Sequence, residues 1–342
     1  MKKQFILLGL GSALVLSGCG GGGGSSGTTI GSGGAAAPVA TTPASTLSPV
    51  TAANATQVAA SAYASSVALS DSSAPVNGFL TGVSMGGAKV GVVAPVLDLV
   101  RKVYPRGTTL LTGVTMTEAC TGGGTISVDA NLRNQQTISN GDTLKLTANN
   151  CLEEGVVING TISITMSNVT GDVVNSYNWG ATLDTVFTGF NVRSGSETAS
   201  IGGDMKIAMT QTSPTSSVID VSGKALQLVE QRNGLTLGSF TLSNYTMNEA
   251  ILGSTVRSAA SFTIAGSTNG LGQFSYTVKN LQPFVSMAGQ DPSSGSLIVN
   301  GASSSVTLTS TSSGARLEYS AKGDGVITQT NNLSWAELMA AL

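Results

Sequence analysis

The sequence contains no histidine, and this absence excludes more chemistry than any other feature of its composition. Without an imidazole, the chain lacks the base of Ser–His–Asp and Cys–His catalytic groups and lacks histidine ligands for a metal ion. Charged residues make up only 10% of the chain and aromatic residues only 5%, whereas about 25% of residues are charged in typical soluble domains. The formal net charge of −2 offers no basic surface to the phosphates of a nucleic acid. We therefore expect no enzymatic activity, no cofactor, no metal site and no nucleic-acid partner.

The first 18 residues have the pattern of a signal peptide. Lys2 and Lys3 precede an apolar stretch that is too short to cross a bilayer as a stable helix. The stretch ends in Leu-Ser-Gly-Cys at residues 16–19, which resembles the lipobox of bacterial lipoproteins; the alternative is an ordinary secretory leader with a chance cysteine. The resemblance implies cleavage before Cys19 and acylation of this residue, so that two or more acyl chains hold the protein on a lipid bilayer. Gly20, rather than Asp, follows the cysteine, and in enterobacterial lipoproteins this implies the outer membrane of a Gram-negative host.

The composition divides the rest of the chain into three segments. Residues 19–50 contain the acylated cysteine and a tether of Gly, Ser, Thr, Ala and Pro, which buries too little apolar surface to offset its ordering entropy. Residues 51–107 are a helical entry segment, with an Ala-rich helix predicted over 51–70 and a second helix over 94–104. Thr51 is the expected N-cap of the first helix. Residues 108–342 are the predicted antiparallel β domain.

In this β domain, apolar residues alternate with Ser, Thr and other polar residues, which predicts about ten to fourteen antiparallel strands. Asn-Gly pairs at residues 140–141, 233–234 and 269–270 predict hairpin turns. The chain ends in a capping-box pattern at residues 334–337, which predicts a short helix whose Trp335, Leu338 and Leu342 close one end of the β domain.

A repeated pattern places glycines on the apolar side of several strands. The clearest copies surround Gly160 and Gly203, and weaker copies surround Gly223, Gly266 and Gly301. A glycine at an inward strand position indicates a bend or the close approach of a neighbouring group. The predicted fold class is therefore mainly β: a large curved antiparallel meander or barrel-like sheet with two N-terminal helices and a short C-terminal helix.

Two cysteines remain once Cys19 is acylated. Because an exported chain folds in an oxidising compartment, Cys120 and Cys151 are expected to form a disulfide. Two buried free thiols and a metal site are the alternatives, and a metal site lacks both histidine and a C-x-x-C motif. The disulfide and the acylation site are the only site residues that the sequence predicts.

Three further motifs resemble functional sites but have simpler interpretations. Ser84 lies in a G-x-S-x-G motif at residues 82–86. Nucleophilic catalysis by this serine would require a histidine base, which the chain lacks, so we interpret the motif as a Gly-rich turn. Glu153 and Glu154 could be the carboxylate pair of a glycosidase, but adjacent residues in a strand point to opposite faces of the sheet. We therefore interpret them as a charged hairpin tip. Residues 322–325, Lys-Gly-Asp-Gly, resemble part of a calcium loop but predict a β-turn, because the closing Glu is absent.

Four methionines complete the predicted inner face: Met166, Met205, Met209 and Met247. Such residues either fill a core or line an adaptable cavity for an apolar ligand. Two functions remain open. The first is a non-enzymatic outer-membrane lipoprotein, facing the periplasm or the cell surface, whose curved sheet binds an apolar ligand or an envelope protein. The alternative is a structural or adhesive module of the cell surface.

Overall fold

A computed structural model describes residues 46–70, 114–134, 137–153, 155–172, 176–268, 270–287 and 290–342. These residues form two helices, α1 (Ala55–Ser70) and α2 (Trp335–Met339), and fourteen strands. The strands are β1 (Val114–Ala119), β2 (Thr125–Asn131), β3 (Thr143–Glu153), β4 (Val156–Gly171), β5 (Trp179–Ser194), β6 (Glu197–Ser213), β7 (Ser216–Arg232), β8 (Leu235–Leu252), β9 (Thr255–Thr268), β10 (Gly272–Met287), β11 (Ser294–Gly301), β12 (Ser304–Thr311), β13 (Gly314–Ser320) and β14 (Gln329–Leu333).

The strands form one sheet in which every strand pairs with the next strand along the chain. All thirteen pairings are antiparallel, so the predicted meander is confirmed, and the strand number is at the upper end of the expected range. Among the described residues, β1 and β14 are the edge strands and do not pair with each other. The sheet is therefore a curved meander that hydrogen bonding between these edges does not close.

Because the meander is antiparallel, its turns gather at two ends. The β7–β8, β9–β10 and β11–β12 turns lie at one end, which we call the entry end because residues 46–50 meet the sheet there. The Ser48 amide donates to the Ser275 carbonyl oxygen over 2.8 Å, and the Ala302 amide donates to the Ser48 carbonyl oxygen over 2.9 Å. The Val50 amide donates to the Ser304 hydroxyl over 2.8 Å. Residues 46–50, which belong to the predicted tether, are thus bonded to β10 and to the β11–β12 turn.

Helix α1 follows this contact, as the Ala-rich pattern predicts. It begins after a turn in which the Asn54 amide donates to the Thr51 hydroxyl and the Thr51 amide donates to the Asn54 side chain. The helix contacts β7, β8, β9, β11, β12, β13 and α2, and none of its described side chains is exposed. Since a helix without an exposed side chain among those described needs neighbours on several sides, strands β7–β13 curve around α1. The second predicted helix, over 94–104, lies outside the described residues.

The long central strands change register partway along their length. Register shifts occur in every pairing from β3–β4 to β10–β11, and such irregularities bend strands and increase their twist. Two of them coincide with predicted inward glycines, Gly160 with φ of 99° and Gly203 with φ of 118°. These are backbone conformations that only glycine adopts without strain, so these two glycines of the repeat lie at register shifts of the sheet, whereas Gly266 and Gly301 do not.

The Asn-Gly turns have different outcomes. Asn233 and Gly234 both have positive φ values, 53° and 77°, and join β7 to β8 as a two-residue hairpin turn. The hairpin predicted at residues 140–141 is wrong, because these residues lie within a longer connection from β2 to β3. The carboxylate of Asp142 organises this connection by accepting from the Arg133 and Ser139 amides, both over 2.8 Å. Asn269 of the third pair lies outside the described residues.

Candidate functional site

The inner face of the sheet holds the four predicted methionines. Met166, Met205, Met209 and Met247 are all buried in the main hydrophobic core. The register places one continuous line of inward side chains across β4–β9: Met166, Leu183, Ile207, Val221, Met247 and Ala260. The methionines therefore lie on one apolar face, as the alternation predicts, and they pack there against aliphatic neighbours.

Helix α1 occupies this inner face along β7–β13. Its buried hydroxyls are satisfied within the helix, since Ser65 donates to the Ser61 carbonyl oxygen and Ser66 to the Tyr63 carbonyl oxygen, both over 2.8 Å. The ring of Tyr63 lies 5.1 Å from that of Phe284 in an edge contact. Small side chains on the rest of the helix let the surrounding strands approach it closely.

The C-terminal helix α2 packs against α1 at the end opposite the entry end. The Trp335 ring lies 4.7 Å from that of Tyr63, and Trp335 and Leu338 are buried, while Leu342 is partly buried against the same core. The predicted capping box is present, with the Glu337 amide donating to the Ser334 hydroxyl and the Ser334 amide donating to the Glu337 carboxylate. The hydrogen bonds from the Ser334 amide and hydroxyl lower the pKa of Glu337. The predicted C-terminal helix is therefore present and packs against α1, β13 and β14.

A tyrosine fills the space beside an inward glycine on β7. Gly223 lies opposite Tyr245 in the β7–β8 pairing, and the Tyr245 hydroxyl donates to the Asp204 carbonyl oxygen on β6. The Asp204 carboxylate in turn accepts from the Lys224 and Ala225 amides, over 3.1 and 3.3 Å. Burial, and secondarily the Asp204 charge, raises the pKa of Tyr245. The glycine prediction did not identify this tyrosine as the approaching group.

One buried hydroxyl on the inner face, that of Thr185, lacks a hydrogen-bond partner among the described residues. Thr185 lies on β5 and is 2% exposed. Its cross-strand neighbours are Ile164 on β4 and Met205 on β6. An unpaired hydroxyl in such surroundings costs about 1–3 kcal/mol. The alternating pattern did not identify Thr185 as an inward polar residue, because Thr is also the commonest outward residue of these strands.

The disulfide between Cys120 and Cys151 is present, as predicted, and joins the residue after β1 to β3. Beside it, the Glu153 carboxylate accepts from the Thr121 amide over 2.9 Å and from the Thr121 hydroxyl. These bonds, the side-chain bond first, lower the pKa of Glu153. Both sulfurs and this carboxylate lie close together, but each sulfur is bonded to the other and offers no thiolate. The group is therefore a structural staple rather than a metal centre.

The remaining predicted motifs have local roles where the structure describes them. β3 ends at Glu153 and β4 begins at Val156, so the expected hairpin tip is confirmed, although Glu154 lies outside the described residues. Residues 322–325 form the predicted turn, in which the Asp324 carboxylate accepts from the Val326 amide over 3.0 Å.

Cys19, the leader and Ser84 lie outside the described residues. Within the described part of the chain, neither helix is long and apolar enough to span a bilayer. No family model, no curated protein and no solved structure matches this chain.

Proposed function

We propose that this chain is a lipoprotein of the Gram-negative outer membrane, held by acylated Cys19, that works without catalysis as a structural or adhesive module. It faces the periplasm or the cell surface. The lipobox at residues 16–19 and the Gly/Ser-rich residues after it support the anchor. The disulfide between Cys120 and Cys151 supports folding in an oxidising compartment.

The observation that carries the proposal is the position of α1. Because this helix contacts the inner face of the sheet from β7 to β13, the outer face is the surface that a partner meets along these strands. A line of outward residues runs across thirteen strands: Asn131, Thr143, Thr165, Asp184, Lys206, Ser222, Thr246, Ser261, Lys279, Ile298, Thr307, Glu318 and Thr330. All but Ile298 carry hydrogen-bonding groups, which suits recognition of an envelope protein or polymer by many weak polar contacts.

The anchor is tested by the intact mass of the mature chain and by fractionation. We expect the mass of a chain that begins at Cys19 and carries acyl groups, and we expect the protein to sediment with membranes. Cys19→Ser removes the acylated sulfur, so the variant should not gain the acyl mass. An unacylated wild-type chain would contradict the proposed anchor.

The outer-face role is tested in a host strain that lacks the chain, with sensitivity to detergent as the readout. We expect the wild-type chain to restore resistance, and the double variant Thr246→Lys, Thr307→Lys to fail while keeping the wild-type unfolding temperature. The matched control is Thr115→Lys on edge strand β1, an exposed residue outside this line. Equal resistance of both variants and the wild type, or no effect of deletion, would contradict this role.

Thr185 favours a second candidate, the binding of an apolar ligand with one polar group. Its unpaired hydroxyl faces Ile164 and Met205 on the inner face, an arrangement that suits an apolar molecule with a single acceptor. Native mass spectrometry of the purified chain distinguishes a ligand carrier from a structural module. A near-stoichiometric lipid that Thr185→Val removes would favour the carrier, whereas a chain without bound lipid would favour the structural module.

A further inference from the structure

The entry end of the sheet carries apolar side chains that face solvent. Leu235, directly after the β7–β8 turn, is 72% exposed, and Val326 and Ile327, in the β13–β14 connection, are 64% and 44% exposed. Large aliphatic side chains at the tips of turns gain free energy when an apolar phase covers them. These three residues, which we call the entry-end tips, lie on two separate turns of the same end.

The β13–β14 connection lies beside the point where the N-terminal segment reaches the sheet. Gly323 of this connection packs against the backbone at Ser304, and the Ser304 hydroxyl accepts from the Val50 amide. The described N-terminal residues therefore meet the sheet at the same end as the connection that carries Val326 and Ile327. An anchor at Cys19 brings this end, rather than the opposite one, towards the bilayer.

The length of chain between the anchor and the sheet determines how often the entry end meets the bilayer. Residues 20–45 separate Cys19 from the first described residue. Even when fully extended, 26 residues reach no more than about 90 Å, so covalent attachment at Cys19 keeps the domain within this distance of the bilayer and raises its effective concentration there. Contacts that would be too weak to recruit a free protein are populated under these conditions.

We propose that the entry-end tips insert into the interfacial region of the phospholipid bilayer and orient the domain on the membrane. The proposal rests on the acyl anchor of the proposed function. The nearby charges are balanced: Arg232 pairs with Glu197 over 2.8 Å, and Lys322 and Asp324 share one turn. Apolar insertion, rather than attraction to anionic lipids, therefore drives the contact, which should persist at high salt.

The opposite end provides matched control positions. Leu252, beside the β8–β9 turn, is 61% exposed, and Met287, at the end of β10, is 51% exposed. These side chains are as apolar and nearly as exposed as the entry-end tips, but they lie at the end of the strands away from residues 46–50. Any general affinity of exposed apolar residues for lipid affects both ends equally.

The test is photo-crosslinking of the full acylated chain in vesicles of phosphatidylethanolamine and phosphatidylglycerol. A benzophenone amino acid replaces Leu235, Val326, Leu252 or Met287, one position in each preparation, and mass spectrometry counts lipid adducts. We expect about tenfold more adducts at Leu235 and Val326 than at Leu252 and Met287, the factor that corresponds to burial of one Leu-sized side chain. The yield should not fall in high salt.

Equal labelling at the two ends, stronger labelling at Leu252 and Met287, or no lipid adducts would overturn the proposal. The intact mass of each preparation separates this failure from failure of the anchor. An acylated chain without adducts at the entry-end tips refutes only the membrane contact, whereas an unacylated chain refutes the anchor and the contact together. Because all four positions are exposed, an unchanged unfolding temperature verifies that each labelled chain is folded.

Discussion

Substitution of Gly223 by Ala tests the close approach that the structure assigns to an inward glycine. A Cβ atom at this position would lie 2.5 Å from Cζ of Tyr245 and 2.6 Å from the Asp204 carbonyl oxygen. Neither neighbour moves freely, because one is a fully buried ring and the other belongs to the backbone of β6. Overpacking of this kind costs about 1–3 kcal/mol, and loss of the Tyr245 hydrogen bond adds roughly 1 kcal/mol. We therefore expect Gly223→Ala to lower the free energy of unfolding by about 2–4 kcal/mol.

Urea denaturation of the oxidised chain measures this loss, and Gly202→Ala is the matched control. Gly202 is also within a strand, on β6, and a Cβ atom there would have no neighbour within 4 Å. The control should therefore change the free energy of unfolding by less than about 1 kcal/mol. If the two variants differ by less than about 0.5 kcal/mol, the reasoning about close approach is wrong. Tyr245→Ala in the Gly223→Ala background should cost less than the two single changes together, since it removes the obstructing ring.

Three further predictions concern the disulfide, the tyrosines and α2. Cys151→Ala should lower the free energy of unfolding by about 3–4 kcal/mol on the chain-entropy model, and reduction of the wild-type chain should have the same effect in urea denaturation; a loss below about 1 kcal/mol would contradict this. Burial raises the pKa of Tyr63 and Tyr245 above their ordinary value of 10.0. The free energy of unfolding should therefore be constant below pH 10 and fall above it, because these tyrosines ionise in the unfolded chain before they ionise in the folded chain. Tyr63→Phe should flatten this alkaline fall in the unfolding temperature, and an unchanged slope would refute the assignment. Trp335→Ala should cost about 3–5 kcal/mol in the same urea assay, whereas Leu342→Ala, at a less buried position, should cost less; equal losses would show that α2 does not act through the Trp335–Tyr63 contact.

The alternation of apolar and polar residues was sufficient to predict a curved antiparallel sheet, the range of its strand number and its inward face. It could not predict the register shifts, because Asn150, Asn168 and Asn244 adopt positive φ values within strands. Asparagine with positive φ is more familiar in turns, so its identity does not distinguish a bulge from a hairpin. The same ambiguity explains the incorrect hairpin at residues 140–141, where the longer connection depends on hydrogen bonds to Asp142.

The sequence pattern was also insufficient to predict the position of α1. A helix on the surface of a sheet shows a single apolar stripe, and its composition then indicates which side is buried. Ala and Ser dominate α1, and small residues are compatible with both exposure and burial. The helix itself was therefore predictable, whereas its enclosure by β7–β13 depends on the curvature of the sheet. The contact of Tyr63 with Phe284 and Trp335 joins residues that are far apart in sequence, and no local pattern marks it.

The enclosure of α1 is the central claim, and hydrogen exchange of the helix amides tests it most directly. In the structure, α1 packs inside the core and contacts the same strands that bury Leu242 and Ile264. We therefore expect the amides of Val58 to Leu69 to exchange as slowly as those of β8 and β9, through global unfolding alone. Exchange of α1 that is faster than that of β8 and β9 by orders of magnitude would show that the helix leaves the sheet in the native state, and would contradict the account.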